Sequence, residues 1–402
     1  MKNIILISKD ALRCGALPTY GNKYWKTPNI DALAEKGTIF ERHYTAGGST
    51  AMAFTALALG KYCYETGRKL YNGRESSGNG NTLFDKLYDA GYDVHIAWDN
   101  SYTSFAKTHF KCEGNHTTVH SLNSIIPEHA PHETGKFDDL TFDHDAEQEG
   151  IKLIKDLADQ LSEIRNKPVF LWIHLPHVFI GRNAYDSDID VFDEIVGIFR
   201  KHFGDECIYV TADHGQMNGH KDKFSYGYNV EENVMRVPLI TPKFMGQDKV
   251  EFPTSHIQMA EILGLQPFIR KEYVLCETAY YVQPCRDVAI VHNDFKLIYS
   301  KSKKKYFLYD LSFDQQEELN LYYPEFYDHD RHIWYSLNQR FFYPNWERAF
   351  QEKEYLTALM LQMWRNGSPL EELYQKVLHI AKLYVSKLLI QKKRKRIINI
   401  GK

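Results

Sequence analysis

Four short apolar runs, each followed by residues that can carry charge, constrain this chain more than any other feature. They are Ile4–Ser8, Tyr92–Trp98, Pro168–His174 and Cys207–Thr211. Runs of this length, dense in Ile, Val, Phe and Trp, suit strands buried on both faces. Between them lie stretches with helical spacing: Pro28–Lys36, Thr82–Ala90, Ala146–Ile164 and Ile189–Phe203. Strand alternating with helix predicts an α/β fold around a large, mostly parallel sheet. Polar residues gather where the runs end: Lys9, Asp10 and Arg13; Asp99 and Asn100; His174 and His177; Asp213, His214 and His220. In open α/β sheets, ligands bind beyond the carboxyl ends of the strands. Four strands are therefore expected to deliver titratable groups to one edge.

The pattern changes further along. Gly114–Asp145 is rich in His, Pro, Thr and Asp, and reads as a long loop over that edge or a surface excursion. Val288–Val291, Phe295–Tyr299 and Tyr306–Tyr309 alternate between polar turns, as in an antiparallel meander. From Tyr322 onward the pattern is helical and aromatic, with Ser368-Pro369 as a start signal for a helix over Leu370–Leu389.

The 402 residues carry a net charge of −3, with 43% hydrophobic and 25% charged residues. That balance excludes a fully disordered chain and gives no global electrostatic case for nucleic acid as a partner. Six cysteines without Cys-x-x-Cys or metal-type spacing predict free buried thiols in a reducing compartment. No run reaches the length of a spanning helix, and the apolar start reads as a strand rather than a signal segment. The expectation is a cytoplasmic protein. The basic run Gln391–Arg396 leaves two readings open: a solvated helix end, or peripheral contact with anionic lipid at the inner membrane face. The C-terminal helices are a candidate contact for a homo-oligomer.

Chemistry enters at Thr45–Tyr62, a glycine turn followed by a small-residue apolar helix. Ser49 or Thr50 stands where that helix begins. Unpaired N–H groups and the positive end of the helix dipole welcome an anion there. The hydroxyl is either an N-cap or a nucleophile toward a phosphate or sulfate ester. Asp10 and Asp213-His214, each just past a buried strand, favour the second reading. Carboxylates, an imidazole and a hydroxyl together suit a divalent ion: Mn²⁺, Zn²⁺, Mg²⁺ or Ca²⁺. Such an ion would lower the pKa of the hydroxyl beside it.

Here the sequence resembles the sulfatase family of the alkaline-phosphatase superfamily. Thr27–Phe40 is similar to the stretch leading to the sulfatase nucleophile, and Ala56–Tyr62 to the end of the nucleophile helix. Asp213-His-Gly215 with Glu231–Ile240 resembles the second metal motif and the strand after it. Arg286–Ile298, Leu308–Leu311 and Asn320-Leu321 resemble the small C-terminal subdomain. The resemblance covers roughly residues 1–321 and implies a large mixed sheet between helices and a smaller antiparallel sheet, to which the pattern after Tyr322 adds a helical tail. The implied division is a catalytic domain over 1–265, a small subdomain over 266–321 and a helical extension with a basic tail over 322–402.

The departures are as informative. Counting back from Gly60, the position of the formylglycine precursor is Thr50, and the Pro and Arg of that motif are Met52 and Phe54. Asp10-Ala11 stands where sulfatases have two Asp, and the sulfate-holding Lys and His give way at Trp98–Ser101. What remains resembles the phosphoester branch, such as lipoteichoic-acid synthases and phosphoethanolamine transferases. The implied metal ligands are Asp10, Thr50, Asp213 and His214, with Thr50 as nucleophile. His177 is implied to hold a phosphoryl oxygen or protonate the leaving group, and His220 is a second candidate acid. Arg13, Asn100, Lys223 and Arg68 are candidate substrate contacts, and His174 reads as a core histidine. The expected activity is hydrolysis or transfer of a phosphoester, glycan- or lipid-linked among the options. The alternatives are a sulfuric ester hydrolase lacking formylglycine, and a non-catalytic scaffold.

Overall fold

Alternation with a period of two positions the whole molecule. In β1 (Ile4–Lys9), Ile4 and Leu6 join one hydrophobic core, and Ile5 and Ile7 join another on the opposite face. The computed structural model describes residues 1–66, 81–99, 102, 110, 116–126, 143–182, 187–223, 226–278, 287–300, 303–322, 327–328, 333–335, 340–343 and 345–366. After β1 come β2 (Thr38–Phe40), β3 (His43–Tyr44), β4 (Asp93–Trp98), β5 (Thr117–Ser121), β6 (Val169–Leu175) and β7 (Ile208–Ala212). Then follow β8 (Arg236–Val237), β9 (Leu239–Thr241), β10 (Lys249–Val250) and β11 (Thr254–Ser255).

The main sheet runs β10-β2-β9-β7-β1-β6-β4-β5. Its central strands β7, β1, β6, β4 and β5 are parallel, and β9 is antiparallel to both β7 and β2. Helix α1 (Pro28–Lys36) and the long helices His144–Ser162 and Ile189–Phe203 cover one face. Helices α2 (Thr50–Leu59) and α3 (Leu83–Asp89) cover the other. Each Leu, Ile or Phe buried between these layers contributes roughly 1.5–3 kcal/mol. The same alternation runs through the neighbours of β1. Phe170 and Trp172 of β6 face α2, and Leu171 and Ile173 face away; Val210 and Ala212 of β7 face away from α2.

A second sheet is the antiparallel meander β12 (Val274–Glu277), β13 (Asp287–His292), β14 (Phe295–Ser300) and β15 (Lys305–Asp310). Its edge strand reaches back to the main domain. Glu277 donates its N–H to Ala46 O at 3.0 Å and accepts from Gly48 N at 3.1 Å, which pins the loop before α2. A short sheet of β11, β3 and β8 lies between the two.

Three expectations need correction. The segment expected as a loop between Gly114 and Asp145 contains the edge strand β5, parallel to β4, because Thr117 and Val119 keep the alternation despite polar neighbours. The meander has a fourth strand, β12, too short to stand out. The region after Tyr322 is not helical throughout, since the short strands Tyr327–Asp328, Ile333–Tyr335 and Arg340–Phe342 pair before the helix Trp346–Asn366. Cys14, Cys207 and Cys276 are free and buried, as expected. Leu370–Leu389 and the basic run lie outside the described residues. Among the described residues no helix is long and apolar enough to cross a membrane.

Candidate active site

The register of the central strands brings three distant residues to one point. Ser8 of β1 lies beside His174 of β6 and Thr211 of β7. Continuing the period of two, Asp10, His174 and Asp213 follow residues on the α2 side of the sheet. One ligand atom from each lies within 4.8 Å of those of the other two, and all three residues are buried.

Local backbone aims these groups. Ala11 adopts φ 57°, in the left-handed region, and donates its N–H to Asp213 Oδ1 at 3.0 Å. His214 N donates to the same oxygen at 2.7 Å. The His214 ring places Nδ1 2.9 Å from Gly215 O, so that nitrogen carries the proton. Its Nε2 is then a bare lone pair, 3.3 Å from Asp213 Oδ2, 3.4 Å from Thr50 Oγ1 and 3.9 Å from Asp10 Oδ1. Tyr226 covers the ring, with centroids 4.3 Å apart.

Helix α2 supplies the hydroxyl. Ser49 is its N-cap residue by position, but its side chain makes no capping bond, and Oγ has no partner among the described residues. Thr50 is the first helical residue, and Asp213 and Tyr102 lie against its hydroxyl. Gly47 is required just upstream, since any Cβ there would run into Met52. The first-turn N–H groups of α2 thus open beside the carboxylates, a place that attracts an anion once a cation is present.

The electrostatics are those of a cation site. Burial and the neighbouring Asp213 carboxylate push Asp10 up to about 7, and burial pushes Asp213 up to about 6. Burial also drives His174 and His214 below the ordinary imidazole value. Asp10 Oδ1, Asp213 Oδ2 and His174 Nε2 have no hydrogen-bond partner among the described residues. Buried polar atoms are nearly always paired. Two facing carboxylates with bare imidazole nitrogens beside them fit a divalent ion.

Other expected residues are placed as follows. His177 Nε2 is 2.8 Å from Gln216 Oε1, and burial with the nearby Lys9 charge lowers the ring to about 4. Lys9 is fully paired, with Asp188 at 3.0 Å and the carbonyls of Pro176 and His177 at 3.1 Å. His220 Nε2 meets Gln316 O at 3.1 Å, and Lys223 pairs with Glu231 at 2.7 Å. Arg13 runs beside Gly215, with its Cα 3.4 Å from where a Cβ on that glycine would sit. Asn100 and Arg68 lie outside the described residues. The sequence reading missed Tyr102 as a neighbour of Thr50, and it placed His174 in the core.

Known proteins share this fold. The family model described as Sulfatase matches residues 2–261. Human arylsulfatase D is 38% identical over 71 residues, 18% of this chain and 12% of that protein. An arylsulfatase of Clostridium perfringens (strain 13 / Type A) is 34% identical over 90 residues, 22% of this chain and 19% of that protein. The chain thus spans less than a fifth of the length of these curated relatives. Among solved structures, BT4656 in complex with its substrate D-glucosamine-2-N,6-O-disulfate superposes with a TM-score of 0.63 at 14% identity, covering 92% of this chain and 99% of that one. The phosphonate monoester hydrolase of Agrobacterium radiobacter gives 0.61 at 17% identity, covering 90% and 96%.

Proposed function

The chain belongs to the sulfatase family, and from that premise we propose that it is a metal-dependent phosphoester hydrolase or phosphotransferase working through a phospho-threonine intermediate on Thr50. The observation that carries the reading is the Thr50 hydroxyl, 3.4 Å from His214 Nε2, at the start of a helix whose N-cap hydroxyl is left idle. The ligands are Asp10, Asp213, His214 and the Thr50 hydroxyl, and the ion is Mn²⁺ or Zn²⁺. When bound, it lowers the pKa of the Thr50 hydroxyl and neutralises charge on the phosphoryl oxygens.

The chain's own residues then act in order. The phosphoryl group sits against the first turn of α2. The Thr50 Oγ–H proton passes to the Asp213 carboxylate, Oγ forms a bond to phosphorus as the bond to the leaving oxygen breaks, and the leaving oxygen takes a proton from solvent. Water or an acceptor alcohol next attacks phosphorus and loses its proton to solvent, the Thr50 Oγ–P bond breaks, and Asp213 returns its proton to Oγ. His177 is neutral at pH 7 and gives its one N–H to Gln216 Oε1 at 2.8 Å, so it lines the site without delivering a proton to the leaving oxygen. Tyr102, against Thr50, orients the hydroxyl.

Sulfate-ester chemistry by the formylglycine route is disfavoured by packing. Phe54 fills the space beside Trp98, Trp172 and His174, with ring centroids 4.5, 4.8 and 4.7 Å away. A scaffold role is disfavoured by the buried carboxylates, which are costly unless a cation joins them. The substrate class we propose is an anionic ester on a glycan or lipid headgroup. A panel of nitrophenyl phosphate, phosphodiester, phosphonate and sulfate with several metals tests it, alongside mass spectrometry of substrate-treated protein. The expected result is a phosphoryl adduct on Thr50 and loss of turnover in Thr50→Ala. Full activity in Thr50→Ala refutes the proposal.

A further inference from the structure

We propose that His174 ligates the same cation as Asp10 and Asp213, which makes the centre imidazole-rich and selects a transition ion over calcium. The inference rests on the metal-dependent reading above and adds a ligand that the family resemblance does not supply. Its first support is geometric: His174 offers a nitrogen within 4.8 Å of carboxylate oxygens from both Asp10 and Asp213. Its second is a bare atom. His174 is 3% exposed, and its Nε2 has no partner among the described residues. A core histidine kept only for packing would have that nitrogen satisfied.

The third support lies behind the ring. His174 Nδ1 is 2.9 Å from Ser8 Oγ. Trp172 Nε1–H donates to the same oxygen at 2.9 Å, and the Ser8 hydroxyl is directed at Ile173 O, 3.4 Å away. With its own proton used on Ile173 O, Ser8 accepts from both Trp172 and His174. In that arrangement Nδ1 carries the ring proton and Nε2 presents a lone pair, the tautomer that ligation through Nε2 requires. A ligating imidazole is held in this way, by a partner for its other nitrogen. Phe54 meets the ring edge-on at 4.7 Å and fixes its plane. With His214 held in the same tautomer by Gly215 O, the site offers two imidazoles and two carboxylates. Calcium and magnesium prefer oxygen throughout, whereas Zn²⁺, Mn²⁺ and Co²⁺ accept this mixture.

The test uses the full chain, stripped with chelator and titrated with Zn²⁺, Mn²⁺, Co²⁺ and Ca²⁺ against a chromophoric competitor. Visible absorption of the Co²⁺ form is recorded. His174→Ala is expected to lose about 100-fold or more in Zn²⁺ and Co²⁺ affinity and to shift the cobalt bands, and Ser8→Ala to lose about 10–100-fold. His174→Gln, which keeps the ring's approximate volume, gives the same comparison should His174→Ala fail to fold. Unchanged affinity and an unchanged cobalt spectrum in a folded His174 variant overturn the inference. Calcium binding as tight as zinc in the wild type also counts against it. A wild-type protein that binds none of these ions instead overturns the metal-dependent reading itself.

Discussion

The molecule buries two clusters of charge, and they are built on opposite principles. In the first, Asp10 and Asp213 face one another with oxygens that no described group satisfies. In the second, the fully buried Lys296 of β14 lies 2.9 Å from Glu232 and 2.9 Å from Glu317. Tyr44 OH donates to Glu232 at 3.1 Å, and Glu232 N donates to Glu317 at 2.8 Å. Burial pushes the Glu232 carboxyl up, but Lys296 and Arg236 outweigh it and hold it below its ordinary value. Asp10 has moved the other way, up to about 7. Burial is common to both clusters, so it does not make the difference. A cation supplied by the chain makes it at Glu232, while burial still raises Glu317 beside the same Lys296. The paired cluster ties the meander to the segment after Asp213, and the unpaired one could hold a cation from solution.

The comparison predicts opposite responses to removing one charge. Asp213→Asn should reduce divalent-ion affinity by at least about 1,000-fold, roughly 4 kcal/mol, in a chelator-competition assay. The same change should raise the melting temperature of the metal-free protein at pH 8, because it removes a carboxylate that burial makes unfavourable. Lys296→Met should do the reverse. It leaves two buried carboxylates without their cation and should cost about 3–5 kcal/mol in denaturant unfolding. Adding Glu232→Gln and Glu317→Gln to it should recover most of that loss. A Lys296→Met protein as stable as wild type would dissolve the distinction between the two clusters.

Acidity sharpens the contrast. The folded-state values of Asp10 and Asp213, about 7 and about 6, stand above their ordinary value of 3.8. Their contribution to stability is thus fully present below about pH 4 and is lost as pH rises through 6 and 7. In metal-free protein this loss should reach on the order of 4–7 kcal/mol by pH 8. Asp10→Asn should flatten it, as should saturating Mn²⁺ or Zn²⁺ in the wild type. Thermal melts from pH 4 to 8, with and without metal, read the effect. A wild-type profile no steeper than that of Asp10→Asn would show that the two carboxylates are already neutralised from within.

Much of this layout was legible before any coordinates. Ile4–Ser8, Pro168–His174 and Cys207–Thr211 read as buried strands, and Asp10, Asp213 and His214 stood just past their ends. The structure places all three within one cluster. Ile189–Phe203 was read with the bounds the structure gives it. His174 was read as a core histidine and is buried; its approach to Asp10 and Asp213 was not legible, because an imidazole closing an apolar run looks like packing. The missing fact was a register, the pairing of Ser8 with His174 across β1 and β6, and no local window holds it. Tyr102 carried no signal, because four residues past a strand its direction depends on the loop. Strand β5 was hidden by Thr and His, whose polarity masks an edge strand wetted on one side.

One residue joins the two clusters, and the last and smallest prediction turns on it. Gly215 N donates to Val234 O at 2.8 Å, and Gly215 O accepts from His214 Nδ1 at 2.9 Å. The short helix Glu232–Met235 therefore braces the tautomer of His214, and the same helix carries Glu232 of the paired cluster. A Cβ on Gly215 has no room, since the Asn233 carbonyl occupies its place. Gly215→Ala must push that helix off the strand end, at a cost of about 1–3 kcal/mol in stability. If the paired cluster serves the site by holding this brace, metal affinity should fall about 10-fold as well, as when a ligand's outer partner is disturbed. If stability falls and metal affinity does not, the two clusters are neighbours without being coupled. In that case Lys296 stabilises the fold alone, and the orientation of His214 comes from its own strand end.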